Sequence, residues 1–255
     1  MDFPIIIGNW KMNLTPHESE MVAKKIVAGL PSQGVSAEIV LCPSFPALEK
    51  VARVTVQSSI ALGAQNFFWQ ESGSYTGEVS AKMLKEVGCS WSIIGHSERR
   101  INLRETDSEI NKKVKLALAY DIVPVICVGE KYEEREGGQK DFVIMREVTS
   151  ALKGVDKFSR LVIAYEPVWV IGRGEAIDPE EAQSVATLIK YTLRDIYSHE
   201  VVEKKIQILY GGSVDDQNVN QFVDQELIKG VLVGGSSLKP EIFLGIINRL
   251  TSNAN

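Results

Sequence analysis

Glu166 follows the apolar run of residues 161–164 and Tyr165, and it is followed at once by Pro167. The run reads as a buried strand of a parallel sheet. Pro167 lacks an N–H and restricts the residue before it, so regular pairing stops there. A mostly apolar loop comes next: Pro167, Val168, Trp169, Val170, Ile171, Gly172, Arg173, Gly174, Glu175, Ala176 and Ile177. The chain resumes as a helix at Asp178, with Asp178 as N-cap, Pro179 in the first helical position and Glu181 as capping-box partner. A carboxylate on a strand tip beneath an apolar loop can be a base under a lid. A solvated glutamate beside a loop packed for stability fits the same stretch.

Other reactive side chains stand at the ends of other apolar runs. Asn9 and Lys11 follow the β-branched residues 5–7, and strand alternation places both on one face with Ile5 and Ile7. Lys11 needs a carboxylate, and Glu98 is the candidate. His96 follows Gly95 and precedes the helix-like Ser97-Glu98-Arg99-Arg100. An imidazole at a helix N-terminus is discouraged from protonating and can donate a hydrogen bond to a carbonyl as a neutral group. A lone histidine is more often structural, but a strand end favours the functional reading. Cys127 closes the fifth run with no general base beside it and reads mainly as packing.

Gly211-Gly212-Ser213 and Gly234-Gly235-Ser236 close the last two runs. Successive glycines let backbone N–H groups approach an anion, and a following helix start adds a positive dipole end. Loops after strands seven and eight are a recurrent phosphate site in barrels. Neither G-x-G-x-x-G after the first strand nor G-x-x-x-x-G-K-[ST] occurs, which disfavours dinucleotide binding and triphosphate hydrolysis. A carboxylate base, a neutral electrophile and a lysine around a phosphate pocket suit proton abstraction next to a carbonyl. That job calls for no metal and no organic cofactor.

Positioning these groups requires a particular frame. Eight apolar runs, near residues 5–7, 37–41, 59–64, 91–94, 122–128, 161–165, 206–210 and 230–233, alternate with helical stretches at about 30-residue intervals. The pattern predicts an α/β protein, either a closed (β/α)8 barrel or a large doubly wound sheet. In both, the working face lies at the C-terminal ends of the strands. Residues 130–138 read as a charged turn. Residues 65–76 form a long polar and aromatic loop that either contacts a partner or folds back onto its own domain.

The 255-residue length fits one barrel domain over residues 1–255. Hydrophobic residues make up 44% and charged residues 24%, as in a globular protein with a large core. A net charge of −5 argues against nucleic acid and offers no polybasic membrane patch. Three widely spaced cysteines, Cys42, Cys89 and Cys127, argue for a reducing compartment and against a disulfide framework. No leader-like or membrane-spanning stretch is seen, and a cytoplasmic location is expected.

Taken together, Gly8-Asn9-Trp10-Lys11-Met12-Asn13, Gly63-Ala64-Gln65-Asn66, Tyr75-Thr76-Gly77-Glu78, Gly95-His96-Ser97-Glu98-Arg99-Arg100, Cys127-Val128-Gly129-Glu130, Ala164-Tyr165-Glu166-Pro167-Val168-Trp169, Tyr210-Gly211-Gly212-Ser213-Val214 and Val233-Gly234-Gly235 carry a resemblance. The chain resembles the triosephosphate isomerases over nearly its whole length. The resemblance implies the closed (β/α)8 TIM barrel and interconversion of dihydroxyacetone phosphate and glyceraldehyde 3-phosphate, in glycolysis and gluconeogenesis, through an enediolate. Base, neutral histidine and closing loop are the established parts of that family's mechanism.

By carry-over, Glu166 moves the proton, His96 polarises the carbonyl, Lys11 supplies positive charge and Asn9 bonds the reacting oxygens. Glu98 orients Lys11, with Ser97, Cys127 and Tyr210 in support, Tyr210 by bonding the N–H of Ile177. Gly172, Ser213, Gly234 and Gly235 present N–H groups to the phosphate, and the lid 167–177 excludes water. The resemblance also implies a homodimer, with loop 65–78 docking beside the partner's active site and Thr76 reaching it.

There are departures. Val170 stands where the family usually has alanine, Arg173 where it has threonine, Glu175-Ala176-Ile177 where it has lysine-threonine-alanine, and Leu103-Arg104 where it has phenylalanine-glycine. The lid substitutions put its opening balance in question and leave the catalytic side chains intact. A sister isomerase acting on a longer phosphorylated keto-sugar would use the same set. A non-catalytic phosphate-binding barrel would not need Asn9, Lys11, His96 and Glu166 together.

Overall fold

The eight apolar runs form parallel strands that close on themselves: β1 (Ile5–Asn9), β2 (Glu38–Cys42), β3 (Ile60–Ala64), β4 (Cys89–Ile94), β5 (Val123–Val128), β6 (Leu161–Tyr165), β7 (Ile206–Tyr210) and β8 (Ile228–Val233). The structure is a computed structural model that describes residues 3–31, 34–171 and 176–252. Around the barrel lie α1 (Pro16–Gly29), α2 (Leu48–Thr55), α3 (Ala81–Val87), α4 (Ser97–Asn102), α5 (Asp107–Ala119), α6 (Tyr132–Glu136), α7 (Lys140–Leu152), α8 (Pro179–Ile196), α9 (His199–Lys205), α10 (Val219–Val223) and α11 (Pro240–Ser252). The barrel, not the doubly wound sheet, is the architecture, because β1 pairs with both β2 and β8. Among the described residues no helix is long and apolar enough to cross a membrane.

Alternation along each strand splits the core in two. Ile5, Ile7, Val40, Trp91, Ile93, Val125, Val162 and Leu209 fill the barrel interior. Ile6, Ile39, Ile94, Ile126 and Ile163 face outward and pack with the inner stripes of the helices. Closure is tight at β8, where Gly230 has φ +148° and a Cβ there would stand 2.0 Å from the Ile5 carbonyl oxygen. Arg160 ties β2, the start of β6 and β7 together. Its two terminal nitrogens donate to Glu38 at 2.6 and 2.8 Å, its Nε donates to Gln207 at 2.9 Å, and its guanidinium lies over the Trp91 ring.

Local signals place the helix ends. Thr15 with Glu18 and Thr106 with Glu109 form capping boxes on α1 and α5. Asp178 is the N-cap of α8 with Pro179 first, as its residue type demands, but the capping-box expectation for Glu181 is corrected. The Asp178 side chain accepts from the Glu180 N–H at 2.8 Å, while Glu181 turns outward to pair with Arg135. A guanidinium with two parallel donors is the stronger partner for that carboxylate. Residues 132–136, within the stretch read as a charged turn, form α6 instead.

Arg104 has φ +54°, the left-handed region, at a position where the resembling family usually has glycine. A side chain there costs about 1–2 kcal/mol. Arg104→Gly is therefore expected to raise stability by about 1 kcal/mol, partly offset by the freer unfolded chain, and to lift the melting temperature by about 2–4 °C. A melting temperature equal to or below that of the parent in calorimetry would contradict this.

Candidate active site

The strand ends bring the predicted groups to one mouth. A cavity of about 230 Å³ opens there, walled by Asn9, Lys11, His96, Glu166, Ile171 and the two glycine turns. It lies below the roughly 300–1,000 Å³ of sites for drug-sized ligands, so it suits a small metabolite.

Glu166 is the residue after β6 and is almost fully buried. Its backbone N–H donates to the Val128 carbonyl at 2.8 Å, and Val168 N–H donates to the Glu130 carbonyl at 3.2 Å. The ends of β5 and β6 are thereby zipped together one residue past the sheet. Gly129 makes this possible, because a Cβ there would stand 1.7 Å from the Glu166 carbonyl oxygen. The carboxylate reaches across to β4. Oε2 accepts the Ser97 N–H at 2.9 Å, and Oε1 lies 3.0 Å from His96 Nε2. That second contact is close but not aligned as a hydrogen bond, so Oε1 is a buried oxygen without a proper donor.

His96 is the N-cap of α4, and its Nδ1 accepts the Glu98 N–H at 3.2 Å. Only an unprotonated nitrogen can do so, which leaves the ring proton on Nε2, facing Glu166 and the cavity. Burial works against the charged ring, but the adjacent Glu166 and Glu98 carboxylates hold it above its ordinary value. Glu166 shows the reciprocal effect. Burial pushes it up, and the imidazole and the Ser97 N–H together hold it below its ordinary value. Both shifts belong to one contact and lapse when the two side chains are parted.

Lys11 arrives by a route that strand alternation did not describe. β1 ends at Asn9, and Lys11 stands in the turn beyond it with φ +54°. Three contacts hold that conformation. The Lys11 N–H donates to Asn9 Oδ1 at 3.1 Å, Gln65 Nε2 donates to the Lys11 carbonyl at 2.8 Å, and Nζ pairs with Glu98 Oε1 at 2.5 Å. Strain kept in place by its surroundings is a mark of functional positions. Gln65 was not singled out from the sequence.

The anion end is built by β7 and β8. Gly211 N–H donates to the Tyr165 carbonyl at 2.7 Å. Beyond it, Asn218 donates to the Ser213 carbonyl at 3.2 Å and accepts from the Asp215 N–H at 3.0 Å, which fixes the turn. Gly235 begins a short 3-10 turn to Leu238, and Lys11 lies beside Gly234. Ser213, Gly234 and Gly235 line the cavity; Gly172, with Arg173, Gly174 and Glu175, lies outside the described residues.

At the start of the lid, Trp169 Nε1 donates to Glu130 Oε1 at 3.0 Å, and Tyr165 OH donates to the same carboxylate at 3.3 Å. Arg135 stacks on the Trp169 ring. Val170 is buried and its N–H donates to the Pro167 carbonyl at 3.1 Å. At the far end, the Ile177 N–H points at Tyr210 OH at 3.5 Å, and the Tyr210 ring stacks on Phe222. Cys127 is fully buried in the barrel, and burial with Glu166 nearby pushes its thiol well above the ordinary value, as suits packing.

A family model described as Triosephosphate isomerase matches residues 4–250. The chain belongs to the triosephosphate isomerase family. Curated relatives named triosephosphate isomerase include those of Dictyoglomus thermophilum, 46% identical over 95% of this chain and 98% of the relative, and of Dictyoglomus turgidum, 47% identical over the same shares. A third, from Caldanaerobacter subterraneus subsp. tengcongensis, is 44% identical over 96% of this chain and 98% of the relative. As a member of the triosephosphate isomerase family the chain is an isomerase, and the fold agrees with that family's barrel.

Besides Gln65, two further residues around the site, Glu130 and Glu147, carried no assigned role in the sequence reading. Glu130 stands two residues past β5, within the Cys127-Val128-Gly129-Glu130 stretch that carried the resemblance, and that stretch was its signal. Glu147 had a better one. It falls in the apolar stripe of α7 with Val143, Ile144, Val148 and Ala151, so helical spacing alone places a charge on the buried face. Burial pushes its carboxyl up to about 7, against the opposing pull of Arg100 and the Gly129 N–H.

Proposed function

We propose that this chain interconverts dihydroxyacetone phosphate and D-glyceraldehyde 3-phosphate, in glycolysis and gluconeogenesis, with no metal or organic cofactor. The observation that carries the reading is the under-bonded Oε1 of Glu166 facing Nε2 of His96 at 3.0 Å, above a small cavity ending in two glycine turns. The separation leaves no room for a carbon between them, so substrate entry turns Glu166 away from His96 and Ser97. Parting them removes the carboxylate that favours a charged imidazole, which keeps the ring neutral, and lets the carboxylate rise toward a better base.

In this reading Glu166 takes the proton from the carbon beside the carbonyl. The Nε2–H of His96 hydrogen-bonds the oxygen on which charge develops, with Asn9 and Lys11 adding to its stabilisation. The proton returns from Glu166 to the neighbouring carbon, giving the other triose. Ser213, Gly234 and Gly235 hold the phosphate through their N–H groups, Gly172 joins them from the lid, and Glu98 aims Lys11. Ser97, Cys127 and Tyr210 support the site. The lid of residues 167–177 excludes water, which protects an enediolate phosphate from eliminating phosphate. Cavity size favours a triose over longer keto-sugars. Turnover of glyceraldehyde 3-phosphate by purified protein tests the reading, and turnover only of longer phosphorylated ketoses would replace it with a sister isomerase.

We also infer a homodimer and a cytoplasmic setting for one barrel domain. Phe67 of the long loop is buried, but Phe68, half-buried, stacks on half-buried Trp69 and meets exposed Tyr75 at a tilt, and Thr76 is exposed. Met12, next to Lys11 in the chain, is 96% exposed. Apolar exposure of this kind around an active-site mouth fits a second copy. Sedimentation is expected to give twice the chain mass, and a monomer at micromolar concentration would refute it. The three cysteines are free and buried, as a reducing compartment allows.

A further inference from the structure

The buried carboxylate of Glu147 lies outside the barrel, beyond the reach of any substrate in the cavity. It nevertheless bonds one backbone group that matters there and reaches a second through Arg100. Its Oε2 accepts the Gly129 N–H at 2.9 Å. Gly129 is the residue against which the Glu166 peptide rests with no space for a Cβ. Its Oε1 lies 3.4 Å from Arg100 Nη1. Arg100 in turn donates from Nε to the Gly95 carbonyl at 2.9 Å and from Nη2 to the Cys127 carbonyl at 3.4 Å. Gly95 is the residue before His96. One carboxylate from α7 therefore bears on the peptide under the base and on the peptide before the imidazole.

The other charges around it are accounted for. Asp107 at the start of α5 accepts from Arg100 Nη1 at 2.6 Å, and Arg146 on α7 lies 3.6 Å from Glu147 Oε1 and 3.5 Å from Asp107. Asp107 alone can keep Arg100 in place through charge, but it has no contact with Gly129. Arg100 bridges the Gly95 and Cys127 carbonyls directly, and Glu147 adds the link from Arg100 to the Gly129 N–H under Glu166.

We propose that Glu147 is a positioning residue for the isomerisation, setting the spacing of Glu166 and His96 through Gly129 and Arg100. The inference rests on the function proposed above. A misplacement near 1 Å in reacting groups costs about 10²-fold in rate without a matching loss of binding.

The test measures kcat and KM for glyceraldehyde 3-phosphate, with thermal melting, on the full chain and on Glu147→Leu and Glu147→Gln. Glu147→Leu removes both contacts and is expected to lower kcat by about 10²-fold with KM within about threefold. Glu147→Gln keeps an oxygen for the Gly129 N–H and should recover about tenfold of that loss. Should the leucine variant not fold, a kcat loss of about tenfold at unchanged KM in the glutamine variant supports the proposal by itself. Folded variants with kcat within about twofold of the parent, or a loss confined to KM, overturn it, whatever happens to the melting temperature. If the parent itself turns over no triose phosphate, the functional reading fails instead. The positioning claim is then read from the imidazole nitrogen resonances of His96, which must shift in Glu147→Gln for it to stand.

Discussion

Glu166→Gln is expected to lower kcat by roughly 10²–10⁴-fold while leaving KM nearly unchanged. The substitution preserves shape. A glutamine oxygen can still accept the Ser97 N–H that Glu166 receives at 2.9 Å, and the fold around Gly129 is untouched. What is lost is the capacity to take a proton from carbon. The variant serves as a control as well, because host isomerase carried through purification gives equal activity in both samples. Equal rates in carefully matched preparations would show that Glu166 is not the base.

His96→Ala is the second. Removing one donor to a developing oxyanion costs about 3–4 kcal/mol, or roughly 10²–10³-fold in kcat. His96→Gln restores a neutral N–H donor and is expected to recover part of the loss. A second signature follows from the shared contact. Burial raises the Glu166 carboxyl, and the imidazole is the largest influence holding it down. Without the ring the carboxyl rises. A base must be ionised to act, so activity that persists to low pH in the parent should fall at a higher pH in His96→Ala. Measurement of kcat/KM against pH checks the sign, and an acid limb that stays put or moves to lower pH would show that His96 does not depress Glu166.

Much of this site was legible in the chain because strand ends and strand order are short-range features. The run of residues 161–164 ends, with Tyr165, in Glu166, the run of residues 91–94 ends just before His96, and the glycine turns close the last two runs. A barrel then has only one end at which such groups can meet. Glu147 and Gln65 were not legible in this way. Their work is done by contacts to backbone groups 18 residues away, from Glu147 to Gly129, and 54 residues away, from Gln65 to Lys11. Glu181 shows the limit of a local rule: its spacing from Asp178 suits a capping box, and Arg135 outcompetes that role.

The sequence by itself determined the alternation of eight strands with helices, the residue types at each strand tip and the family that the chain belongs to. It did so because hydrophobic period, caps and turn residues act over a few positions along the chain. Only the tertiary structure decided that the sheet closes, since β1 pairing with β8 joins residues more than 220 apart. It also decided that Lys11 points into the cavity from a left-handed turn and not from a strand face, and that His96 keeps Nδ1 bare for the Glu98 N–H. The balance of burial against charge at Glu166 and His96 was settled there too. It depends on distances of about 3 Å between β4 and β6 ends, and no spacing along the chain encodes them.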